Sequence, residues 1–253
     1  MSQSSFGLVR SGIRDIRSRL RDVSIIVALW YLPVTALQFI YNHWSFRDLY
    51  WRLDPIVNYG LFRPLLIIVS ITAVDFFLNL RAGTHERNSV FRPRPRAWFM
   101  GLGAYLIVVA GALPAAVVRT VTEGPVLWLF PFQFLAIVVS FAGFLVIPIA
   151  LIERKTGTAA FKRSWSLIRS QIDLVIVTAV VVRLVTLLLG VPHFALQLGG
   201  FGGGTMTVDV PVYLLLSYPM GFGFVLSELV ATRLYQQLRS REEITDPNRD
   251  AAP

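Results

Sequence analysis

Six stretches of this chain are nearly free of charge and long enough to cross a bilayer, and no other feature restricts its fold so tightly. They run from Val23 to Tyr41, Ile56 to Leu80, Ala97 to Val118, Val126 to Ile152, Ile172 to Val191 and Val210 to Leu234. About 20 apolar residues in helical form span the ~30 Å hydrocarbon layer. Inside that layer every backbone N–H and C=O needs a partner from the chain itself, which leaves helices and closed barrels as the spanning forms. The runs therefore predict an all-α integral membrane protein with six transmembrane helices. With 55% of 253 residues hydrophobic and 15% charged, little sequence remains for a separate soluble catalytic domain.

The basic residues set the expected orientation, because cationic loops resist translocation. Five arginines precede the first run (Arg10, Arg14, Arg17, Arg19, Arg21), and five lie between the second and third (Arg81, Arg87, Arg92, Arg94, Arg96). Five more follow the fourth run (Arg154, Lys155, Lys162, Arg163, Arg169), and four end the chain (Arg233, Arg239, Arg241, Arg249). The alternate connections hold Arg47, Arg52 and Arg119. This alternation predicts a multi-pass protein of the bacterial plasma membrane with both termini cytoplasmic. The expected organisation is a cationic interfacial helix over 1–22, a six-span domain over 23–235 and a polar cytoplasmic tail over 236–253. The net charge of +9 lies beside the apolar runs, so anionic phospholipid rather than nucleic acid is its expected counter-charge. The absence of cysteine excludes disulfides, thiolate metal sites and a cysteine nucleophile. The opening residues lack the short apolar core and small-residue site of a cleaved signal.

Two cationic segments have helical periodicity. Phe6, Val9, Ile13, Ile16, Leu20 and Val23 recur three and four apart, with Arg10, Arg14, Arg17 and Arg21 one position behind. That makes an oily stripe with an adjoining arginine row, suited to the headgroup layer. After the fourth run, Thr158 is the expected N-cap of a second amphipathic helix carrying Phe161, Trp165, Ile168 and Ile172, flanked by Lys162, Arg163 and Arg169. Each segment either marks topology or forms a surface for lipid or a partner.

The pattern Glu153, Gly157, Ala160, Arg163, Ser164, Trp165 and Leu167 resembles a signature of the membrane domain that precedes the catalytic domain in some glycerophosphoryl diester phosphodiesterases, and of its stand-alone bacterial relatives. The ending agrees through Tyr235, Leu238, Arg239, Arg241, Glu243 and Asp246, although Gln237 stands at a common Asp and Ile244 at a common Gly. The resemblance implies a helical membrane domain. It does not import phosphodiesterase chemistry, which needs a separate domain with clustered His, Glu and Asp.

Ionisable residues inside spans are costly and usually face protein or water. Asp75, Arg183 and Glu228 are expected to join the second, fifth and sixth spans in an ion network that braces the bundle or couples to a solute. Gly111 and Ala115 form a small-residue pair for close helix approach. Pro33, Pro131 and Pro148 are expected to bend or break their spans, and Pro219, Gly221 and Gly223 to interrupt the last. His43, His85 and His193 fall too far apart in this topology to share a metal. No G-x-S-x-G elbow is present, and LGGFGGGT over 198–205 reads as an outer loop rather than a phosphate-binding one. No catalytic residue, metal ligand or cofactor is assigned. The expected function is a non-enzymatic accessory or scaffold subunit that contacts anionic phospholipids and other membrane proteins or copies of itself. The alternatives are a transporter or channel-like protein for a lipidic or small amphipathic solute, and an embedded enzyme acting on lipid phosphodiesters.

Overall fold

The computed structural model describes residues 4–44, 57, 61–81, 95–121, 130–201 and 210–245. Among them the chain is helical, without a strand. In order these are α1 (Ser5–Ser18), α2 (Leu20–Ile26), a π-helical turn (Val27–Tyr31), α3 (Leu32–Trp44), α4 (Arg63–Arg81), α5 (Pro95–Val121), α6 (Phe130–Ala142), α7 (Val146–Ile152), α8 (Gly157–Ser170), α9 (Ile172–Phe201) and α10 (Val210–Thr245). The connections bearing Arg47, Arg52, His85, Arg87, Arg92 and Arg94, residues 202–205 of the glycine-rich segment, and residues 246–253 lie outside the described residues, as do the side chains of His43, Ala115 and Arg119. The first half of that segment, 198–201, expected as part of an outer loop, instead continues α9 as helix.

Four stretches are long and apolar enough to cross a membrane: Leu20–Tyr41, Phe130–Ile152, Ile172–Ala195 and Val210–Ile244, with Pro95–Gly111 a shorter apolar helix. They coincide with the first, fourth, fifth and sixth expected spans. The second and third expected spans are also helical, as α4 and α5, and α4 carries Arg63, Asp75 and Arg81 among its apolar residues.

Proline explains where the first and fourth spans depart from regular helix. Pro33 has no N–H to give the Leu29 carbonyl, and the backbone widens into the π turn just before it. Pro148 likewise cannot bond the Phe144 carbonyl, and the helix breaks at residues 143–145, where the Val146 N–H turns back to the Gly143 carbonyl at 3.0 Å. Pro131 sits in the first turn of α6, where its missing N–H has no helical partner to lose.

The last helix is the axis of the packing. Its residues Leu226, Val230, Leu234, Tyr235 and Leu238 share a core with α1, α5, α7, α8 and α9. Its Val225 and Leu229 pack with Val23, Ile26, Val27, Phe76 and Phe77 from α2, the π turn and α4. Contrary to expectation, Pro219, Gly221 and Gly223 do not interrupt it. The two glycines instead let neighbours come close. A Cβ on Gly221 would lie 2.5 Å from Val27 Cγ1, and one on Gly223 would lie 2.8 Å from Thr186 Cγ2 and 3.1 Å from Thr186 Cα. Gly111 serves the α5–α6 contact in the same way, with Val139 in the space its side chain would need. Residues 236–245, expected to begin a polar tail, extend the helix because Leu238 is buried in the core.

These close approaches give a paired test. Gly223→Ala drives a methyl into the α9 backbone and is expected to lower stability by about 1–3 kcal/mol. At Gly103 a Cβ meets nothing within 4 Å, so Gly103→Ala should be neutral or stabilise by up to about 1 kcal/mol through helix propensity. Thermal unfolding of both variants in one detergent checks the contrast.

Candidate functional site

The two segments that carry the resemblance, nearly 70 residues apart in sequence, meet around one guanidinium. Arg163 on α8 donates from Nε to Glu153 Oε1 at 3.0 Å. Its other nitrogens form a fork onto Glu242 of α10, at 2.9 Å and 2.5 Å. Glu153 also accepts from the Tyr235 hydroxyl at 2.9 Å and pairs with Lys155 at 2.7 Å. Outside this centre, Arg241 donates to Gln171 Oε1 at 2.5 Å and Arg239 to Glu243 at 2.8 Å. The side chains of Arg163, Glu153 and Glu242 are 16%, 11% and 23% exposed, so water screens these pairs less than it would on an open surface.

Local backbone geometry brings the groups together. The chain leaves α7 at Glu153 and reverses through Arg154 and Gly157, both with φ of +57°. Glycine tolerates that conformation, whereas Arg154 holds it as a non-glycine residue. The cap of α8 is Thr156 rather than the expected Thr158, and its side chain makes no capping bond. Folded back in this way, α8 buries Ala160, Ser164, Leu167 and Ile168. The Ser164 hydroxyl donates to the Ala142 carbonyl at 2.5 Å, an acceptor left over where the helix breaks at 143–145.

Electrostatics follow from this geometry. Burial pushes the Glu153 carboxyl up, but hydrogen bonds from Lys155, Arg163 and Tyr235 outweigh it and hold the group below its ordinary 4.5. The Glu242 hydrogen bond, helped by Glu153 against burial, raises Arg163 above the usual arginine value. Glu153 is thus fully occupied as a carboxylate acceptor, a constellation suited to fastening α7, α8 and α10 rather than to abstracting a proton.

The remaining cations of the expected docking set face outward. On α8, Lys162, Trp165 and Arg169 are exposed while Arg163 points in. On α1 the expected stripe divides. Val9 is buried and Ile16 packs against the core, whereas Phe6, Ile13 and Leu20 are exposed beside Arg10, Arg14, Arg17 and Arg21. The buried side of α1 lies across the neighbouring helices. Ser5 meets Thr178 at 3.0 Å, a Cβ on Gly12 would reach Leu226 at 2.9 Å, and Asp15 pairs with Arg233 through Nε at 3.1 Å and through Nη2.

The charges expected within the spans are brought together in part. Arg183 acts through space on Glu228, and the Ser70 hydroxyl hydrogen-bonds the same carboxylate. Ser70 is thus an α4 group that reaches Glu228, and Asp75, on the same helix, is buried. Tyr105 of α5 hydrogen-bonds Arg63 and lies in the field of both Glu228 and Arg183. Sequence reasoning missed Ser70, Tyr105, Arg63 and Glu242. It also missed the buried contact of His193 Nδ1 with Ser217 Oγ at 2.7 Å. Ser217 donates its proton to the Tyr213 carbonyl, so His193 Nδ1 is the donor in that contact and not a base for the serine. No group of three or more His, Asp or Glu suited to a metal occurs among the described residues. Comparison with protein-family models, curated proteins and solved structures finds no match to this chain.

The depressed Glu153 carboxyl has a pH signature. Its contribution to stability is present above the unfolded value near 4.5 and is lost as pH falls through the lower folded value. The gap in unfolding temperature between the native chain and Glu153→Gln should therefore close as pH drops below 4.5. At neutral pH, Arg163→Ala leaves two carboxylates without their shared donor and should cost about 2–3 kcal/mol. Gly157→Ala should cost about 1–2 kcal/mol from its positive φ alone. Equal stability of any of these variants and the native chain at neutral pH would remove that contact from the account.

Proposed function

We propose that this chain is a six-span protein of the bacterial plasma membrane, with both termini cytoplasmic, that acts as a non-enzymatic accessory or scaffold subunit. One observation carries the reading. The basic residue at the centre of the α7–α8–α10 contact is consumed by carboxylates, while Arg10, Arg14, Arg17, Lys162 and Arg169 stand exposed beside Phe6, Ile13 and Trp165. Apolar and aromatic side chains next to an arginine row suit the headgroup layer of an anionic leaflet. Convergence of the two motif segments supports kinship with the phosphodiesterase-associated membrane domain. The saturated Glu153 gives no encouragement to phosphodiester chemistry at that point.

Further support for partner contact comes from α9. Ile176, Val180, Leu184, Leu188 and Val191 are all exposed along it, a continuous face for lipid or for another membrane helix. Purification in gentle detergent should yield a heteromeric assembly carrying anionic lipid, and a lipid-poor, monodisperse homomer would overturn the proposal. Because the chain has no cysteine, single replacements report topology cleanly. Gly200→Cys should react from outside and Ser166→Cys from the cytoplasm.

A transport reading has its own observation in the polar group of Arg63, Ser70, Tyr105, Arg183 and Glu228 among apolar helices. Loss of solute flux in proteoliposomes on Arg183→Gln or Glu228→Gln, with the fold retained, would favour it over the scaffold.

A further inference from the structure

Beside the corner between α1 and α2 lies an open groove of about 520 Å³, lined by Leu20, Arg21, Ser24, Ile25, Ala28 and Tyr218. Its two ends differ in chemistry. Arg21 is exposed at one end, where α1 meets the base of the first candidate span. Ile25 and Ala28 form the other, and Tyr218 closes one side with its hydroxyl 3.5 Å from the Ser24 carbonyl. At 1.5 Å per residue, Ala28 stands about 10 Å from Arg21 along the helix. That is a cationic mouth followed by an apolar trough directed into the hydrocarbon layer.

We infer that this groove holds one anionic phospholipid, its phosphate at Arg21 and one acyl chain against Ile25 and Ala28. Charge complementarity selects the headgroup, since Arg21 lines the groove and guanidinium binds phosphate oxygens in a planar fork. The inference rests on the lipid-contacting reading above but names a single retained molecule rather than a general affinity of α1 for the leaflet.

The test uses the full chain reconstituted in phosphatidylcholine with or without phosphatidylglycerol, released into mild detergent and weighed intact by native mass spectrometry. The native chain should retain one phosphatidylglycerol. Arg21→Gln should retain about fivefold less, the effect of one basic contact at the headgroup surface. Ala28→Trp should fill the trough and abolish retention, and the milder Ala28→Leu should reduce it, with lipid-free unfolding temperatures unchanged. Arg10→Gln with Arg14→Gln should thin the general enrichment of anionic lipid yet keep the single bound molecule. Full retention by both Ala28 variants, or equal retention of phosphatidylcholine, would overturn the inference. If the Arg10/Arg14 variant alone lost the lipid, the groove would fall while the surface reading stood.

Discussion

Arg163 sits between two carboxylates that arrive from different parts of the chain, Glu153 at the end of α7 and Glu242 near the end of α10. A partly buried ion triad of this kind adds little net stability over a well-packed apolar equivalent, because desolvation offsets most of the Coulombic gain. What it supplies is registry. A guanidinium has one planar fork and one Nε direction, and here both are engaged, so α8 is held in a single position against α10. From that position follow the burial of Leu167 and Ile168 and the reach of Ser164 to the Ala142 carbonyl. Without α8 in place the break in the fourth span would leave a carbonyl unpaired inside apolar surroundings, a cost of about 1–3 kcal/mol.

The same logic operates nearer the middle of α10. Gly12 lets α1 settle on Leu226 and Val230, and Asp15 fastens it to Arg233. The amphipathic helix is thereby turned so that only part of its apolar stripe is free. Phe6, Ile13 and Leu20 remain outside, while Leu8 and Val9 lie inside. An interfacial helix that floated on lipid alone would have no reason to bury Leu8, which stands off the stripe. The docking against α9 and α10 accounts for it, and it places the arginine row in a fixed orientation relative to the spans.

The long apolar runs were legible because hydrocarbon thickness converts directly into sequence length, and the helix after Gly157 was legible from its period. The partners of the charges were not. Glu242 and Glu243 are adjacent and chemically identical, yet the helix sends one to Arg163 and the other to Arg239. The i,i+4 spacing from Arg239 accounts for Glu243, whereas only the approach of α8 gives Glu242 its partner, and no local pattern encodes that. Asp75 looked like the α4 group for Arg183 and Glu228 because it carries charge. A neutral hydroxyl five residues earlier, Ser70, also reaches Glu228, and an uncharged side chain gave no signal for that in the sequence. Gly221 and Gly223 read as breaks in sequence because glycine weakens an isolated helix. In the bundle the close contacts with Val27 and Thr186 outweigh that propensity, so the helix continues.

The two charged constellations of the molecule differ in one respect that bears on function. Around Glu153 three donors converge on one carboxylate, and its principal counter-ion, Arg163, is itself shared with Glu242; removing or adding a proton there works against several bonds at once. Around Glu228 a serine hydroxyl supplies a hydrogen bond, and the arginine acts through space from an exposed position on α9. The first arrangement resists change and suits a fastening. The second leaves a guanidinium on a helix face that is otherwise apolar, with the Glu228 carboxylate acting on it through space. A scaffold helix braced only by packing would place leucine at that position. Arg183 instead stands exposed within the stripe of Val180, Leu184 and Leu188 while its field reaches Glu228 on α10.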